Sequence, residues 1–116
     1  MSVNHLLDID LVNDYKESLG VDIVREMFEL YAEKSAVYLD DIRLSVDSGD
    51  NGLWHDKCHK LKGAVSSIGL IALRAFILTI EHSEENSTIK HQYYEQIKQF
   101  NAEGINAFEA WLSNFN

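Results

Sequence analysis

The chain of 116 residues contains no proline and a single cysteine, Cys58. One cysteine excludes an internal disulfide and any multi-cysteine metal framework, which fits a reducing cytoplasm. With proline absent, glycine is left as the main helix breaker, and the glycines fall mostly where the apolar periodicity pauses. No run of 18 apolar residues occurs, and the amino terminus MSVNHLLDID lacks a basic region followed by an apolar stretch. The expectation is a soluble, cytoplasmic protein with no membrane span. Basic residues are few: 10 Lys and Arg stand against 19 Asp and Glu, a formal net charge of −9. That balance argues against nucleic acid or an anionic membrane as partner, because phosphates require a basic face. Strand-like alternation, internal repeats and low-complexity segments are missing too. The length allows one continuous core and excludes two, so residues 1–116 are expected to form a single domain.

What the sequence does have is helical periodicity. Asp10 is placed to cap a short helix through Leu11 and Tyr15 to Leu19, and Gly20 suits the left-handed residue that ends it. Val24, Phe28, Tyr31, Ser35, Tyr38 and Ile42 alternate spacings of four and three, which predicts a long amphipathic helix ending near Ser48. A third helix starts near Asp50 or Asn51 and buries Trp54, Cys58, Leu61, Val65 and Ile68. Gly69 closes it. Leu70, Leu73, Ile77 and Ile80 mark a fourth segment that stops at HSEENS. Ser87 or Thr88 caps the last helix, whose stripe runs Tyr93, Ile97, Phe100, Gly104, Ala107 or Phe108, Trp111 and Phe115. Long amphipathic helices with short connections predict an all-α fold, an antiparallel up-and-down four-helix bundle with an additional short N-terminal helix packed across one end. The aromatic residues on these stripes read as core.

The third helix also carries a polar strip. At about 100° per residue, His55, His59, Lys62 and Ser66 fall together beside the buried face. Gly63 lies one turn beyond His59 and leaves the surface next to that imidazole bare. A glycine inside a helix costs up to about 1 kcal/mol relative to alanine, so close approach of another molecule is a reason for it to be there. Charge is uneven as well: residues 54–69 carry Lys57, Lys60 and Lys62 against Asp56 alone, a basic segment on an acidic chain.

The stretch HKLKGAVSSIGL resembles the His-x-Leu-Lys-Gly signature of histidine-containing phosphotransfer (HPt) domains, with His59, Leu61, Lys62 and Gly63 in the matching positions and Gly69 fitting a small residue that follows. The expected helix order extends the likeness over essentially the whole chain, which is similar to the carboxy-terminal HPt domains of bacterial hybrid sensor kinases. The resemblance implies that His59 is a phosphoacceptor. It would take a phosphoryl group from the phospho-aspartate of a receiver domain and pass it to an aspartate of a response regulator in a His-Asp phosphorelay. An imidazole of ordinary pKa near 6.5 is largely neutral and nucleophilic at about pH 7 without an activating base. Lys62 is placed to stabilise phosphoryl charge. His55, Gly63, Ser66, Lys57 and Lys60 are expected at the receiver interface. The chain shows no acidic triad, so it is expected to bind no cofactor or metal of its own, and Mg²⁺ is expected on the receiver.

A glycine-rich nucleotide loop is absent, so a carrier without kinase activity of its own is expected rather than an enzyme. The receiver of a hybrid sensor kinase and a response regulator are the expected partners of a monomer. Met1 and the full set of helices suggest a free-standing carrier, although an excised domain of a hybrid kinase would look similar. Two other classes remain open. His55 and His59, four apart with Cys58 between them, permit a metal-binding module if His5, His82 or His91 supplies a further ligand. A helical adaptor without chemistry is the other.

Overall fold

The computed structural model describes residues 3–115, with side chains from His5 onward. The chain folds as α1 (Val3–Leu6), α2 (Ile9–Leu19), α3 (Val21–Ser48), α4 (Asn51–Ile68), α5 (Ile71–Ile80) and α6 (Ser87–Leu112), followed by a 3₁₀ turn at Ser113–Phe115. There is no strand among the described residues. Nor, among them, is any helix long and apolar enough to cross a membrane.

Local chemistry sets the helix ends. Asp8, not Asp10, caps α2: its carboxylate accepts from the Leu11 amide at 3.1 Å, and Asp10 sits inside the first turn. One turn of helix, α1, precedes it and was not expected. Gly20 has φ 88° but ψ 155°, so it joins α2 to α3 outside the left-handed helical basin. Asp50 caps α4 through the Leu53 amide, and Gly69 ends it with φ 83°, a conformation that L side chains rarely adopt. Asn86 rather than Ser87 or Thr88 caps α6, accepting from the Ile89 amide at 3.0 Å. The Ser87 hydroxyl instead donates across the bundle to the Val46 carbonyl at 2.9 Å.

Packing runs in a ring, α3 on α4, α4 on α5, α5 on α6 and α6 back on α3. At about 1.5 Å per residue α3 alone accounts for most of the 45 Å long axis. The core is continuous: Trp54, Leu61, Phe108, Ile42, Ile77 and Ile97 are fully buried, and Phe28 stacks on Phe108 at 4.7 Å. All five residues of the expected α4 stripe are buried. On α3 and α6 the outline differs, with Tyr38, Tyr93, Phe100 and Phe115 only partly buried and Tyr94 and Leu112 inside. α2 packs on α3 and is tied to the far end of α4, where the Asp8 amide donates to the Gly69 carbonyl at 2.8 Å and Tyr15 donates to the Ser67 carbonyl at 3.0 Å. A Cβ on Gly69 would stand 3.5 Å from Asp8, Leu11 and Val12, so this joint is close as well as tightly turned.

A candidate histidine and carboxylate site at the end of helix α5

The buried face of α4 holds the helix in place, and the strip beside it reaches toward the carboxy-terminal end of α5. Two contacts dock that end. The Trp54 indole Nε1 donates to the Ile80 carbonyl at 2.9 Å, and His55 Nδ1 lies 3.3 Å from the Glu81 carbonyl. A carbonyl only accepts, so this geometry puts the His55 proton on Nδ1 and leaves Nε2 with its lone pair.

Docking α5 this way buries Glu81 between two residues of α4. The Lys62 ammonium stands 2.7 Å from Glu81 Oε2, and His59 Nδ1 stands 3.4 Å from Oε1. The Glu81 side chain is 3% exposed, Lys62 20% and His59 65%. Oε1 is buried and has no hydrogen-bond partner; a small rotation of the exposed imidazole would bring His59 Nδ1 from 3.4 Å to bonding distance. Burial pushes the Glu81 carboxyl up, but the hydrogen bond and charge of Lys62, joined by His59 and His82, outweigh it and hold the group below its ordinary pKa. Glu81 is therefore a carboxylate at neutral pH. It favours hydrogen on His59 Nδ1 and so leaves the lone pair on Nε2 of an exposed ring.

The expected site residues divide into two groups. His59, Lys62 and His55 come together around Glu81. The His55 ring lies 5.8 Å from that of His59. Gly63 is exposed, with no atom within 4 Å of where a Cβ would stand, so the helix surface beside His59 is bare as expected. Ser66 belongs to a neighbouring contact: its hydroxyl donates to the Lys62 carbonyl at 2.7 Å and accepts from Arg74 Nε at 3.1 Å. Lys60 leans the other way, 5.9 Å from the Tyr38 ring on α3. Lys57 lies about 160° around the helix from His59 and does not join the cluster. The metal-binding alternative loses its thiol. Cys58 is fully buried, and burial, with the Glu81 charge adding to it, pushes the thiol up to about 12.

Sequence reasoning missed Glu81 and Arg74, and named His82 only as one possible further metal ligand. A signal for the first existed: Glu81 lies four residues after Ile77 on the apolar stripe of α5, where a carboxylate is out of place and needs a partner. His82 follows it and stacks on His55 at 4.4 Å. Arg74 gave no signal, because its link to Ser66 exists only once α5 is packed against α4.

No curated protein matches the chain. In three dimensions it is similar to the histidine-containing phosphotransfer domain of ArcB from Escherichia coli, with a TM-score of 0.82, 20% sequence identity and 96% of each chain covered. At that identity the likeness establishes the fold. The sequence profile of the Hpt domain matches residues 26–111, a span that holds His59, Lys62 and Glu81, and the chain accordingly belongs to the Hpt domain family of histidine phosphotransfer proteins.

Proposed function

We propose that this protein is a phosphoryl carrier in which His59 accepts a phosphoryl group from a receiver-domain phospho-aspartate and delivers it to an aspartate of a response regulator. The observation that carries this reading is the exposed His59 ring with its Nδ1 turned to the buried Glu81 carboxylate. In the forward step the Nε2 lone pair forms the new bond to phosphorus while the bond from phosphorus to the aspartyl oxygen breaks, and the carboxylate leaves with the electron pair. The ring gains positive charge as that bond forms. Glu81 faces it and retains the proton at Nδ1, so in the second transfer the imidazole departs as a neutral ring. Lys62, fixed against Glu81, adds positive charge one turn from His59 where the phosphoryl oxygens gather.

The remaining parts are assigned to the partner. Mg²⁺ comes from the receiver, and phosphate enters by protein-to-protein transfer, a reading supported by the lack of a glycine-rich nucleotide loop in the sequence. The ring of packed helices and the short connections support an antiparallel up-and-down bundle; that it acts as a monomer in the bacterial cytoplasm is part of the proposal. The receiver of a hybrid sensor kinase is the donor and a response regulator the acceptor.

The test is acid-labile labelling from a phosphorylated receiver. Wild type should label within minutes and remain unlabelled with ATP and Mg²⁺ alone, while His59→Gln should keep the helical spectrum and take no phosphate. Labelling of folded His59→Gln would remove His59 from its role, and labelling of wild type by ATP alone would contradict the carrier reading.

A further inference from the structure

Beside His59 lies a second constellation that the phosphotransfer chemistry does not use in full. One donor atom from each of His55, Glu81 and His82 lies within 4.8 Å of the others. We propose that these three residues form a site for a divalent transition-metal ion of the Zn²⁺ class, and that its occupation slows phosphorylation of His59. The first part stands on the geometry alone; the second rests on the phosphotransfer reading above.

Three features prepare the site. His55 donates from Nδ1 to the Glu81 carbonyl, so Nε2 keeps a lone pair, and a ring held by its second nitrogen is the usual arrangement of a metal-ligating histidine. Glu81 is oriented in the same sense, Oε2 being held by Lys62 while Oε1 is buried without a hydrogen bond. That oxygen faces only His59 Nδ1, at 3.4 Å, and so keeps lone-pair capacity for a cation. His82 is exposed and stacks on His55, so it has room to swing in. Donors around a four-coordinate Zn²⁺ at about 2.0–2.2 Å stand roughly 3.4 Å apart, so the cluster closes by an ångström or so on binding. Two imidazoles and one carboxylate leave a fourth position for water.

The donor set selects the cation. Imidazole suits Zn²⁺, Cu²⁺ and Ni²⁺, whereas Mg²⁺ requires oxygen ligands in octahedral array, so the Mg²⁺ of a docked receiver does not compete. Lys62 lies close to Glu81 and opposes a cation, which limits affinity. Coupling to His59 follows from sharing: the ion takes the oxygen that His59 Nδ1 faces, and the ring loses the carboxylate that sets its tautomer.

Two measurements on the whole chain decide it. Titration calorimetry with Zn²⁺ in excess Mg²⁺, supported by visible absorption on loading Co²⁺, should give one bound ion; His55→Ala and His82→Ala, each checked for unchanged helical content, should bind at least about tenfold more weakly. Labelling of His59 by phosphoramidate should slow with stoichiometric Zn²⁺ and recover with EDTA. His82→Ala should label at the wild-type rate and ignore Zn²⁺. Absence of binding, or binding unchanged in both variants, overturns the site. Binding that leaves wild-type labelling unaltered overturns the inhibition. A chain that binds Zn²⁺ but takes phosphate at no residue retains the metal site and refutes the carrier reading instead.

Discussion

A carboxylate with 3% of its side chain exposed survives as an ion chiefly because Lys62 meets it at 2.7 Å. Its folded pKa is depressed, so the stability the pair contributes is full above about pH 4.5, the ordinary value, and is lost as the pH falls below it. Removing one partner is worse than removing both. Lys62→Met leaves a buried charge without compensation and should destabilise by about 3 kcal/mol, whereas Lys62→Met with Glu81→Gln should recover most of that loss in urea unfolding. If the double variant is no more stable than Lys62→Met, the two residues are not coupled and Lys62 faces solvent instead. At this scale His59, Lys62 and Gly63 were legible because they share one helix and one turn, where spacing alone fixes neighbours. Glu81 was not. Its place depends on how α5 ends against α4, through the Trp54 bond to the Ile80 carbonyl, and no spacing rule encodes a bond between residues 26 apart.

Helix α4 is built to do two things with opposite faces. Trp54, Cys58, Leu61, Val65 and Ile68 lock it into the core, and Gly63 leaves its outer surface bare beside His59. Since a Cβ at position 63 would meet no other described atom of the chain within 4 Å, Gly63→Ala should raise stability by up to about 1 kcal/mol in thermal or urea unfolding. Gly63→Leu should also fold, but on the proposed reading the larger side chain stands where a receiver approaches. Transfer from a phosphorylated receiver should fall steeply in Gly63→Leu, while labelling by phosphoramidate, which needs less room, should change little. Equal loss in both assays would mean that the glycine serves the geometry of His59 rather than the approach of a partner. The elements themselves were largely legible because apolar residues recur every three or four positions and the breaks fall at Gly20, Gly49 and Gly69, all with positive φ. Their ends were less so. Asp8 and Asp10, two positions apart, and Asn86 and Ser87, next to each other, are all capable caps, and the choice between them is made by contacts elsewhere, as when Ser87 bonds across to Val46 on α3.

The assembled molecule hides polar groups that the apolar pattern does not announce. Tyr31 donates to Asn101 Oδ1 at 2.6 Å inside the bundle, linking α3 to α6, and buried Lys90 on α6 reaches Asn51 at the start of α4. These bonds join residues 70 and 39 apart, which is why the ring of helices was expected from periodicity while its internal ties were not. Cys58 belongs to the same interior and offers a test of it. The thiol is fully buried, and burial, with the Glu81 charge adding to it, raises its pKa from 9.0 to about 12. Below pH 9 it is protonated whether the chain is folded or not, and contributes no pH dependence. As the pH rises past 9 the unfolded thiol ionises while the folded one resists, so stability falls until about pH 12, by up to roughly 4 kcal/mol in all. Tyrosines and lysines titrate in the same range, so the informative quantity is the stability of wild type minus that of Cys58→Ala, followed by urea unfolding from pH 8 to 11. That difference should be level to about pH 9 and then shrink by a little over 1 kcal/mol per unit. A difference that stays level throughout would mean that the folded thiol ionises as readily as the unfolded one, and that solvent reaches the buried face of α4 directly behind His59.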